Sequence, residues 1–347
     1  MLMASSGITA RIMLTVICAM VSCTLHAGNN DTVPVNYIPK VSGNIRVKYE
    51  YSTVDDAGRF AVNNARLKLD GKVMPWVGYR LQVDLCNNGK IRLMDAYAKI
   101  SPTDRLDIFV GQERVPFSVD ASRDLHEYMF SDLSFGANYL GNLRSVGMKF
   151  GYRFLNNRVY AEAGMFNSGT TENQDVWRGD FTYGAKMNFK TDLGLSPQVC
   201  FMSRKPLDGI RHNMADISLS WTCGRFFMEG EYLYCNYAGK AIPDAHAYNF
   251  MIDYSLGVNK GILSEVSFRG RFDGMTDIST GIPDDEGKTG IDHRHRKRIT
   301  AGVKFASIRG KASLNLHINY QQYFYGDASA IRTDDNNRLV AMVVLHF

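Results

Sequence analysis

From Asn44 to the end of the chain, apolar and polar residues alternate one for one in recurring runs of roughly the length a tilted strand needs to cross a bilayer. Alternation at period two marks a strand with one face in an apolar phase and the other in water. Ile45, Val47, Tyr49 and Tyr51 share one face, and Asn44, Arg46, Lys48 and Glu50 the other. Ala65, Leu67 and Leu69 oppose Arg66, Lys68 and Asp70 in the same way, and Val77, Tyr79, Leu81, Val83 and Leu85 oppose Arg80, Gln82 and Asp84. Further runs occupy Ile91–Ile100, Asp104–Gln112, Arg144–Phe154, Arg158–Phe166, Trp177–Phe189, Gln198–Ser203, Asn213–Thr222, Arg225–Tyr234, His246–Leu256, Leu263–Asp273, Arg298–Phe305, Lys311–Tyr323 and Arg338–Phe347. The total of about sixteen is even, as bacterial barrels require, so the expected fold is all-β, a transmembrane antiparallel β-barrel.

The connections carry a second signal. Short links at 74–76, 101–103, 155–157, 223–224 and 307–310 alternate with longer ones at 52–59, 113–143, 167–175, 274–297 and 326–337, the asymmetry of periplasmic turns against external loops. Trp76 and Trp221 fall at the short-turn end and Trp177 at the long-loop end, where interfacial aromatic belts lie. Leu339, Ala341, Val343, Leu345 and the terminal Phe347 read as the lipid-side face of a closing strand. In a soluble protein such an apolar edge would invite aggregation.

The chain of 347 residues has no long apolar segment beyond its first residues, which excludes a helical membrane protein. Residues 1–27 read as a secretory leader: Arg11 flanks a short apolar core, Ile12 to Cys23, and Leu25-His26-Ala27 offers a cleavage site. Met20-Val21-Ser22-Cys23 is an alternative lipoprotein cleavage box, opened by a poorly suited Met. Residues 28–40 are then a lead-in and 41–347 the barrel. The formal net charge of +5 is too small for nucleic-acid binding. Cys86, Cys200, Cys223 and Cys235 have no metal-site spacing, and no cofactor is expected; which pair, if any, could bridge stays open.

Four segments in order resemble the phosphate-selective porin O and P family. Gly111-Gln112-Glu113-Arg114-Val115-Pro116-Phe117 is similar to the segment before that family's long third loop, and Ala65-Arg66-Leu67-Lys68-Leu69-Asp70-Gly71 to its early strand. Asp95-Ala96-Tyr97 and Gly164-Met165-Phe166-Asn167-Ser168-Gly169 resemble later landmarks. The resemblance implies a sixteen-stranded trimeric porin of the Gram-negative outer membrane and allows an anion preference.

The expected function is therefore passive diffusion of small hydrophilic solutes. The longest loop in the first half, Glu113 to Leu143, is expected to fold inward as the constriction. Its Asp120, Asp124, Glu127 and Asp132 outnumber Arg114 and Arg123, whereas the early strands present Arg46, Lys48, Arg66, Lys68, Arg80 and Lys99 to the lumen. A basic wall opposite an acidic loop sets a transverse field and leaves the channel weakly anion-preferring. Strict phosphate selectivity would need a denser set of Arg and Lys with fewer carboxylates. The run His293-Arg294-His295-Arg296-Lys297-Arg298 is the densest basic cluster, read as a solvated loop face or a contact for lipopolysaccharide phosphates. Expected partners are outer-membrane lipid, lipopolysaccharide and small polar or anionic solutes. No HExxH, GxSxG or P-loop pattern suggests an enzyme, and His317 and His346 fall on lumen faces, away from where a membrane lipase needs them. The competing class is a secreted soluble β-protein whose aromatics bind glycans.

Overall fold

The computed structural model describes residues 35–347 apart from 88, 170, 172, 173, 241 and 327–335; the expected leader and most of the lead-in lie outside the described residues. The strands are β1 (Lys40–Ser52), β2 (Ala57–Met74), β3 (Val77–Asn87), β4 (Lys90–Ile100), β5 (Leu106–Arg114), β6 (Arg144–Phe154), β7 (Val159–Asn167) and β8 (Phe181–Phe189), followed by β9 (Leu195–Arg204), β10 (His212–Cys223), β11 (Phe226–Tyr237), β12 (Ala245–Lys260), β13 (Leu263–Met275), β14 (Arg296–Arg309), β15 (Ala312–Tyr325) and β16 (Arg338–His346). Each pairs antiparallel with its sequence neighbours, and β1 pairs with β16 to close the barrel, with Asn44 opposite His346 and Val47 opposite Val343. Closure leaves no unpaired edge, the condition for strands to survive in lipid. Every expected run coincides with a strand, including the short one at Gln198.

Burial alternates as the period demands. In β1, Asn44, Arg46, Lys48 and Glu50 are shielded on the concave side, while Ile45 and Val47 are exposed on the outside. Outward aromatics gather at both ends: Tyr49 with Phe60 (4.9 Å) and Tyr248 with Phe272 (5.6 Å) toward the long loops, Phe226 with Tyr254 (4.5 Å) and Tyr152 with Phe154 (6.1 Å) toward the short turns. Two such girdles around an apolar band are what a bilayer selects, and a soluble glycan-binding sandwich does not account for them.

Three expectations fail in detail. The connection at Ser52–Arg59 is a tight turn, because β2 runs on until Ala57 pairs with Ser52; its polar residues extend the hairpin rather than forming a long loop. The run from Trp177 starts only at Phe181, leaving Trp177 in the connection and 99% exposed. Trp76 lines a cavity inside the barrel instead of joining a lipid-facing belt.

Candidate permeation pathway

The connection between β5 and β6, residues 115–143, contains a short helix, α1 (Val119–Ser122), a 3-10 turn (Leu125–Glu127) and a π turn (Ala137–Gly141). Inward-facing side chains on both flanks of the β1–β16 seam hold it. A buried loop must find partners for its main-chain carbonyls, and here arginines supply them. Arg46 donates to the carbonyls of Phe130 (3.1 Å) and Ser131 (2.9 Å), Arg269 to Met129 (3.0 Å), Arg271 to Asp132 (2.7 Å) and Arg298 to Leu133 (2.8 Å). Asp273, paired with Arg298 at 2.8 Å, accepts from the Phe135 N–H at 3.0 Å. On β11, Glu231 accepts from the Ser118 hydroxyl (2.7 Å) and the Val119 N–H (2.8 Å), and Glu229 pairs with Arg123. That grip holds Ser118 at a positive φ of 58°, a conformation a non-glycine residue adopts only under such constraint.

The loop also has an apolar seat. Val115, Phe117, Phe135, Leu140 and Leu143 pack on Met202 (β9), Met214 (β10), Leu233 and Cys235 (β11) and Ala247 (β12), all on the inner face of the barrel. A Cβ at Gly136 would stand 2.8 Å from Leu233, so only glycine lets the loop approach this closely. From the connection between β13 and β14, Ile278 joins the same cluster, and the Tyr237 hydroxyl bridges to the carbonyl (3.1 Å) and N–H (2.8 Å) of Ser279. One side of the interior is thus filled by a buried apolar cluster.

Open space lies on the other side, against the early strands. A cavity of about 270 Å³ toward the long loops is lined by Arg46, Arg66, Arg114, Arg144, Arg298 and Arg338, with Asp132 its only carboxylate among the described residues. It shares Arg114 and Arg144 with a middle cavity of about 250 Å³. That one shares Arg80, Tyr97 and Phe109 with a vestibule of about 790 Å³ toward the short turns. In the middle cavity five bases, Arg80, Arg114, Arg144, Lys149 and Lys186, face four carboxylates, Asp95, Glu113, Asp124 and Glu162. The three cavities adjoin in sequence along the barrel, with the basic excess concentrated at the long-loop end.

Residues 40–198 match the family model described as phosphate-selective porin O and P. That match spans somewhat less than half of the chain and supports an outer-membrane porin channel. Its barrel superposes on OmpF of Salmonella typhi in complex with daunomycin (12% identity, TM-score 0.63, covering 89% of this chain and 97% of that one) and on the trimer form of OmpT of Vibrio cholerae (11%, 0.60, 89% and 99%). It also matches the outer membrane channel DcaP of Acinetobacter baumannii (15%, 0.57, 89% and 97%). No curated protein sequence matches the chain. At these identities the structural likeness is one of fold. In the porin, Gly111, which opens the most telling family motif, has φ 138°, and a Cβ there would strike the Ala96 carbonyl.

The structure places the expected site residues inside the barrel, yet most of the basic wall is already paired. Lys48 meets Glu50 (2.7 Å) and Asp132 (3.9 Å), Arg66 meets Asp84 (3.0 Å), Lys68 meets Asp124 (3.1 Å), Arg80 meets Asp70 (2.7 Å) and Lys99 meets Asp107 (3.1 Å). Of the loop residues, Asp120 pairs with Arg123 at 2.8 Å, and Glu127 accepts from the Asp124 N–H at 3.0 Å within the turn. The wall and the loop are therefore docked together at Lys48–Asp132 and Lys68–Asp124, where the sequence pattern sets them apart across open water. Arg114 differs: it has no carboxylate within ion-pair distance among the described residues, and one guanidinium nitrogen donates to the Arg123 carbonyl at 3.0 Å. Arg144, missed in the sequence, pairs with Asp95 through its Nε at 2.8 Å and lines both upper cavities. The basic run at 293–298 does not form one patch, since Arg296 and Arg298 turn inward, Lys297 is exposed, and Arg294 pairs with Asp277 at 3.1 Å.

Asp132 carries a pH signature. Burial raises its carboxyl, but Lys48, Arg338 and Arg298 outweigh that and hold it well below the usual carboxylate range. A depressed native value gives stability that is present above the unfolded value, about pH 4, and is lost as pH falls through the native one. Asp132→Asn should therefore lower the temperature of the heat-induced gel shift by a constant amount from neutral pH down to about pH 4, with the difference from wild type shrinking below it. A difference that vanished already at mildly acidic pH would contradict the pairing.

Proposed function

We propose that the porin is a passive diffusion channel for small hydrophilic solutes, anion-preferring and able to conduct phosphate, with residues 115–143 as its constriction. The observation that supports this most is the run of adjoining cavities whose upper member is lined, among the described residues, by six arginines against one carboxylate. In a low-dielectric, confined lumen such an excess lowers the entry barrier for anions and raises it for cations. The weak preference expected from the sequence counts the loop carboxylates as facing the pore. Asp120 and Asp124 are engaged with Arg123 and Lys68, and three of the lining arginines, Arg144, Arg298 and Arg338, come from strands that follow the loop. Arg46, Arg66, Lys68 and Arg80 act in this reading mainly as loop holders or paired wall charges, while Arg114, with no carboxylate partner among the described residues, and Arg144, which meets Asp95 through its Nε alone, carry the selectivity.

No catalytic arrangement is invoked. The chain is read as a homotrimer, by analogy with the trimer form of OmpT from Vibrio cholerae and because closed symmetry suits one membrane plane; in the same reading Lys297, exposed near the long-loop end, meets lipopolysaccharide phosphates. Cross-linking in mild detergent should give a trimer, and monomers alone would contradict it. The test of the main reading is a planar-bilayer recording under a potassium chloride gradient. The reversal potential should take the sign of chloride permeation, and a potential at zero or of potassium sign would refute it.

A further inference from the structure

The upper cavity has a second kind of lining beside its arginines: Asn63, Asn64, Asn87, Asn138 and Asn142. The first two stand side by side because of a β-bulge. Pairing of β1 with β2 passes from Arg46–Asn64 directly to Val47–Val62, so Asn63 is the extra residue and turns inward with its neighbour. Asn64 is consumed by the protein, accepting from Arg46 at 3.3 Å and donating to Asp84 at 2.8 Å. By contrast, the side-chain amides of Asn87, Asn138 and Asn142 make no hydrogen bond among the described residues, although all three border the cavity.

An inorganic anion is served by donors alone, and a carbonyl oxygen turned toward it is unfavourable. A carboxamide presents both a donor and an acceptor, which is the complement of a hydroxyl group. The cavity of about 270 Å³ displaces roughly nine waters at ~30 Å³ each, the scale of a single sugar ring. The geometry points to a binding site for a polyhydroxylated organic anion of monosaccharide size. Its acid group lies against Arg114 and Arg144, and its hydroxyls meet Asn87, Asn138 and Asn142. This assignment deepens the anion-channel reading and rests on it.

Block of the single-channel chloride current tests the site. Glucuronate and glucose 6-phosphate, at fixed ionic strength, should each interrupt the current at concentrations about tenfold below those required of acetate, inorganic phosphate or neutral glucose, a margin that two or three added hydrogen bonds supply. If only one of the two sugar acids blocks, the site stands and the acid group it prefers is named. Asn138→Ala with Asn142→Ala should erase most of that margin while the reversal potential keeps the sign of chloride, which Arg114 and Arg144 set. Should the double variant fail to assemble, Asn87→Ala on the strand end should reduce the same margin in a barrel whose heat-shifted migration is intact. Sugar acids that block no better than acetate and phosphate, in a channel that still prefers chloride, would overturn the site and leave the anion channel standing. A channel without chloride preference would remove both.

Discussion

Replacing Arg114 and Arg144 together by Gln should collapse the anion preference and carry the reversal potential toward potassium. A unit charge about 4 Å from a permeating anion is worth roughly 1 kcal/mol in bulk water and several times that where water is confined. Even at the lower figure the pair changes anion partitioning by about thirty-fold, since each 1.4 kcal/mol is a factor of ten. The effect should be largest at low salt, because the Debye length falls from about 10 Å at 0.1 M to about 3 Å at 1 M. Arg114→Lys with Arg144→Lys keeps the charges and should keep the sign of the potential. An unmoved potential in the Gln variant at low salt would mean that the cavities they border are not the path.

Phe135→Ala should loosen the constriction without opening the barrel. Its ring sits in the apolar seat between the guanidinium groups of Arg296 (5.1 Å) and Arg298 (4.6 Å), and its main-chain N–H is held by Asp273. Truncating a buried Phe costs about 3–5 kcal/mol, comparable to everything that seats one end of a loop. The inter-strand ladder is untouched, so heat-shifted migration should persist while conductance rises several-fold, becomes noisy and loses selectivity. A quiet channel of wild-type conductance would show that the seat does not shape the pore.

The barrel was legible because lipid and lumen impose opposite chemistry on alternate residues. Asn44 to Tyr51 therefore reveals its facing without any structure; on the polar phase of the early strands Arg46, Lys48 and Arg66 are buried and Arg80 is half-buried. What hid the loop's seat is the failure of that same contrast. Met202, Met214, Leu233 and Cys235 are apolar on the inward phase of strands that are apolar outside as well, so period two carries no sign there. Their partners lie in a loop distant in sequence. The arginines of β13 and β14 were opaque for a different reason: they answer main-chain carbonyls of Met129, Asp132 and Leu133, and a carbonyl leaves no trace in a sequence. Reading the loop's carboxylates as an open acidic arc followed directly, since nothing in the one-dimensional pattern distinguishes a charge facing water from one docked on a lysine, as Asp124 is on Lys68.

In the proposed channel, one side of the interior is sealed by the loop while solutes pass along the early strands. Two native residues report on it. Cys200 and Cys235 are free thiols on the inner wall, 7% and 0% exposed beneath the seat. In folded barrels, a charged, water-soluble maleimide should leave both unmodified for as long as migration shows the barrel intact, while the thiol introduced by Arg144→Cys is labelled promptly and labelling reduces the current. Rapid modification of Cys200 and Cys235 in the folded wild-type protein, as fast as that introduced thiol reacts, would mean that the lumen is open on that side and the account is wrong.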